Sequence, residues 1–71
     1  MFHVLAELKA GDREGRGRTI RDALQTVGSL QPRSTVRVTI TWDSTKGRVR
    51  VSGATLHEAK EAFIDELTKD L

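Results

Sequence analysis

The chain has 71 residues, no cysteine, two histidines and a formal net charge of +2. That length holds one domain with a core of limited size, and the missing cysteine excludes disulfides and thiolate metal sites. His3 and His57 lie in different segments, so no structural metal or other cofactor is expected, which leaves self-association as the usual means by which so small a domain adds stability.

The opening segment, Phe2–Lys9, alternates Phe2, Val4, Ala6 and Leu8 with His3, Leu5, Glu7 and Lys9, the period of a β-strand. Leu5 breaks the polar side of the alternation and is expected to face a partner or a second layer. The apolar run is too short and too soon interrupted for a signal peptide or membrane span, so a cytoplasmic location without membrane contact is expected. Ala10–Arg18 follows, with three of the six glycines, Gly11, Gly15 and Gly17, among alternating charges. Glycine punctuates chains. No apolar residue stands between Ala10 and Ile20, so residues 10–18 are expected to form a flexible loop within a single domain spanning 1–71.

Thr19-Ile20-Arg21-Asp22 places a capping threonine three residues before an acid, a near match to a capping box. Ile20, Ala23, Leu24 and Val27 then repeat at helical spacing, and Gly28 suits the C-terminal cap. Beyond Pro32, Val36, Val38, Ile40 and Trp42 alternate with Thr35, Arg37, Thr39 and Thr41. A short turn through Gly47 leads to Val49 and Val51 alternating with Arg48, Arg50 and Ser52. This is a hairpin pattern with β-branched residues inside. Thr55-Leu56-His57-Glu58 is a full capping box for a last helix, whose stripe runs Leu56, Ala59, Phe63, Leu67 and Leu71, with Asp65 and Lys69 as an i,i+4 ion pair. No internal repeat is apparent.

The expected order is β-α-β-β-α, an α+β class in two layers: a three-stranded sheet with two helices on one face, as in a ferredoxin-like half-sandwich lacking its last strand. The third strand would insert between the first two, leaving the first with an open edge. Pairing of two first strands around Leu5 would then give a homodimer.

Charge is uneven. Residues 19–53 carry six basic and two acidic residues, whereas residues 54–71 carry two basic and five acidic ones. No nucleophile with an adjacent base, carboxylate pair or ligand cluster stands out, so no enzyme is expected. The glycine-arginine segment lacks the ending of a phosphate-binding loop. Arg16–Leu24 resembles the loop and following helix of bacterial KH domains, and Gly53–Ala59 resembles the strand-to-helix junction of HicB-type antitoxins and of some double-stranded-RNA-binding folds. The first departs from its family in lacking the Gly-x-x-Gly loop, and neither resemblance assigns a site. The candidate binding residues are Arg13, Arg16, Arg18 and Arg21 of the loop and helix start, with Arg37, Arg48 and Arg50 of the hairpin. They would form one basic surface for a protein partner or a nucleic-acid backbone. The expected function is a small non-catalytic interaction module, a regulatory or inhibitory protein of bacterial or phage type. The alternatives are a nucleic-acid-binding protein and a structural homo-oligomer.

Overall fold

The computed structural model describes residues 1–69. It shows an α+β chain of four antiparallel strands and two α-helices: β1 (Phe2–Leu8), β2 (Arg13–Gly17), α1 (Ile20–Val27), β3 (Thr35–Ser44), β4 (Gly47–Gly53) and α2 (Leu56–Thr68), with a single 3-10 turn at Pro32–Ser34. The sheet order is β2-β1-β3-β4. The two-layer α+β arrangement is therefore as expected, but the sheet has four strands. The segment expected as a loop over 10–18 contains β2, which pairs with β1 from Phe2↔Gly17 to Ala6↔Arg13.

Gly15 and Gly17 explain why this strand looked like a loop. A Cβ on Gly15 would collide with the backbone carbonyl of Ala23, and one on Gly17 would strike Asp22 Cβ. These glycines let α1 lie directly on β2, which is the close-approach use of glycine within a strand. Arg13 also serves this contact, donating from Nη1 to the carbonyls of Val27 (3.4 Å) and Ser29 (3.3 Å) at the end of α1. A cation there also suits the helix dipole.

Two expectations about β1 change with the topology. β1 is a central strand flanked by β2 and β3, so it has no free edge, and a homodimer through paired first strands around Leu5 has no geometric basis. β4 lies outside β3 and does not insert next to β1.

The core is Val4, Ala6, Ala23, Val27, Val38, Ile40, Ala59 and Phe63. Phe2 stacks on Trp42 with ring centroids 5.7 Å apart, and both rings meet Phe63. Val36, expected inside, is 56% exposed. The β1–β3 register passes from Glu7↔Arg37 to Leu8↔Thr35, so Val36 is the extra residue of a bulge and has no inward place. Leu67 is also exposed, Leu71 lies outside the described residues, and Lys69 pairs with Glu66 at 3.3 Å in place of Asp65.

The expectation of no repeat also fails. Adding 36 to a residue number carries β1-β2-α1 onto β3-β4-α2: Gly11 to Gly47, Gly17 to Gly53, Thr19 to Thr55, Ala23 to Ala59 and Val27 to Phe63. The hairpin pairs correspond as well, Phe2↔Gly17 becoming Val38↔Gly53. Gly11 and Gly47 share positive φ (132° and 135°). Thr19 and Thr55 both accept at their side chains from the amide three residues on. A pseudo-twofold axis therefore passes through the Val4↔Ile40 pair at the sheet centre, and the fold consists of two copies of one strand-strand-helix unit. α2 is longer than α1, at 13 residues against 8.

Candidate binding face

Strand alternation sends Val4, Ala6, Val38 and Ile40 towards the helices, and so it sends His3, Leu5, Glu7, Glu14, Arg16, Arg37, Thr39, Thr41, Arg48 and Arg50 to the opposite side. An antiparallel sheet tolerates one solvated face, and here that face is a shallow depression bordered by Met1, Arg16, Asp43, Arg48 and Arg50. Its middle row runs across all four strands as Arg16, His3, Thr41 and Arg50. The next row centres on Leu5 and Thr39, and Thr39 is only 9% exposed although it lies on the uncovered side.

The charges on this face are mixed. His3 Nε2 lies 3.0 Å from Glu14 Oε2, and Arg48 Nε donates to Asp43 Oδ1 at 2.6 Å. Glu7 sits opposite Arg37 in the register. Arg16 and Arg50, which have no ion pair among the described residues, are separated by three strand spacings, roughly 14 Å.

The structure brings together three of the seven candidate arginines, Arg16, Arg48 and Arg50, around the depression, and Arg37 shares the face two rows away, opposite Glu7. The other three do not join them. Arg13 is spent on the C-terminus of α1, Arg18 lies beyond the end of β2, and Arg21 lines a depression on the helix side with Ile20, Leu24 and Lys60. His3 and Glu14 belong to the face but are not among the candidates, while Leu5, expected to face a partner or a second layer, lies there with them. The signal that could have found them is the alternation of Gly15 and Gly17 with Glu14 and Arg16, a strand period written in glycine.

The aromatic rings lie on the covered side, where Phe2 and Trp42 pack on Phe63. Among the described residues no group of three or more histidines, aspartates and glutamates is placed to hold a metal ion, and no helix is long and apolar enough to cross a membrane. No protein-family model, curated protein or solved structure matches this chain.

Proposed function

We propose that this chain is a non-catalytic binding module that uses the uncovered face of its sheet to dock on an acidic protein surface, in a regulatory or inhibitory role. The observation that carries the reading is the row Arg16-His3-Thr41-Arg50 beside Leu5 and Thr39: cations at both flanks of a small, partly apolar centre. Protein interfaces favour this arrangement, with arginine enriched around a desolvated middle.

A nucleic-acid backbone is the second candidate, and the placement of the aromatic rings disfavours it. The rings that would stack on bases are under the helices.

Retention on immobilised polyglutamate and on duplex DNA tests the choice. Reversing Arg48 and Arg50 to glutamate is expected to abolish retention on polyglutamate with the fold unchanged, because exposed ion pairs add little stability. Reversing Lys60 and Lys69 is expected to leave it intact. Tighter retention on DNA with a steep salt dependence would favour the nucleic-acid reading, and loss through the helix variants alone would place the working surface on α2.

A further inference from the structure

The two edges of the sheet are not equivalent as binding sites. Met1 and Asp43 exchange both of their backbone hydrogen bonds, Asp43 N donating to Met1 O and Met1 N to Asp43 O, each at 3.0 Å. The backbone of Asp43 therefore points towards β1. In an antiparallel pair, residues alternate between facing their partner strand and facing away. Arg48, which lies across from Asp43, consequently turns its own N–H and C=O outward from the sheet. The same parity holds at Arg50 and Ser52. The backbone groups of Val49, Val51 and Gly53 are consumed in pairing with β3, and those of Arg48, Arg50 and Ser52 are free along the edge. The side chains of these same three residues stand on the uncovered face.

The other edge differs. Applying the same parity through β1 leaves Glu14 and Arg16 of β2 facing outward, one acid and one base on a strand of only five residues. β4 has seven residues, no proline, no bulge and no acidic residue. Edges of this kind invite pairing.

We infer that β4 is a strand-addition site that takes an extended protein segment with acidic side chains at alternate positions. This rests on the reading of the uncovered face as the docking surface and specifies how the partner is held. Side chains two apart on an incoming strand lie on the same face as Arg48 and Arg50, one strand spacing away. A carboxylate there meets Arg50, which has no acidic partner among the described residues. A second copy of this chain fits less well. Two β4 strands pairing antiparallel about Arg50 would oppose arginine to arginine, and like charges directly opposite destabilise a sheet.

The test uses the intact protein and a short blocked synthetic peptide in which glutamate alternates with valine. On adding the peptide, amide exchange is expected to slow at Arg48, Arg50 and Ser52, while Val49 and Val51 are already protected by β3. The substitution Ser52→Pro removes one edge-facing N–H without altering charge, at a position where an edge strand accepts proline. It is expected to weaken peptide binding by about tenfold, the effect of one lost backbone hydrogen bond with its acceptor left unpaired. If Ser52→Pro binds the peptide normally while Arg48→Glu with Arg50→Glu does not, the partner docks on the face alone and strand addition is wrong. If both variants bind normally, the docking face is wrong too. Protection of the edge amides that grows with protein concentration and without peptide would mean that a second copy occupies the edge, which would overturn the proposed occupant. Should Ser52→Pro fail to fold, the exchange pattern of the unaltered protein decides the matter.

Discussion

Replacing Gly15 by alanine reverses the usual expectation for a glycine among charged residues. In a flexible loop, Gly→Ala stabilises by about 0.4–1 kcal/mol, because the unfolded chain loses freedom. In β2 the new methyl group meets the backbone carbonyl of Ala23, and its next neighbours are Thr26 Cβ at 3.0 Å and Val27 Cγ2 at 3.1 Å. A carbonyl in the middle of a helix cannot rotate away as a side-chain tip can, so α1 must lift off the sheet. Overpacking of this kind costs about 1–3 kcal/mol, and the displaced helix also loosens Ala23 and Val27, both now buried. A loss of about 2 kcal/mol or more is expected, out of roughly 4–10 kcal/mol for a domain this size. With a urea slope of about 1 kcal/mol/M for a small domain, the unfolding midpoint should fall by about 2 M. The single tryptophan, Trp42, stacked on Phe2, reports the transition by fluorescence. A midpoint equal to or above that of the parent protein would refute the close approach of α1 to β2, and with it the assignment of 13–17 as a packed strand.

The bulge predicts opposite outcomes at two neighbouring valines. Val38→Asp should abolish the folded circular dichroism spectrum, since a fully buried unpaired charge exceeds the stability of the domain, whereas Val36→Asp should shift the urea midpoint by less than about 0.5 M, as befits an exposed site. The repeated threonine caps should behave alike. Thr19→Ala and Thr55→Ala are each expected to lower stability by about 1 kcal/mol in urea titrations, and a null result at either would mean that its cap contributes nothing to the helix it precedes.

Elements specified by local chemistry were legible in the sequence. Thr19 and Thr55 announced both helices, and the alternation from Val38 to Val51 announced the β3–β4 hairpin, because capping and strand period act over a few residues. β2 was hidden because two of its three inward positions are glycines and the third is Arg13: the side chain that would mark the buried face is absent where a helix occupies its place. Several other differences follow from β2. Without that strand β1 keeps an open edge, Arg16 looks like a loop residue, and the correspondence of Gly17 and Thr19 with Gly53 and Thr55 has no structural frame. Val36 could not be read correctly either, since a bulge depends on how β3 meets a strand far away in sequence. Of the candidate face, the hairpin arginines were legible from alternation alone. Leu5 was legible from the same alternation, whereas the meeting of His3 with Arg16 and Glu14 required knowing that β1 lies between β2 and β3.

The division of the chain into two like units bears on how it folds. Within each unit, a hairpin and its helix join residues close together in sequence, and such contacts form at little entropic cost. The seam between units is the pairing of β1 with β3 and the meeting of Phe2 with Trp42 and Phe63. Neither unit buries its half of that seam alone: Val4 needs Ile40, and Phe2 needs the rings of the other half. The β1–β3 pairing is accordingly the part of the sheet that closes the longest loops, Phe2↔Trp42 against Phe2↔Gly17 and Val38↔Gly53 within the units, and the connecting stretch from Gly28 to Ser34 sets how often the two halves meet.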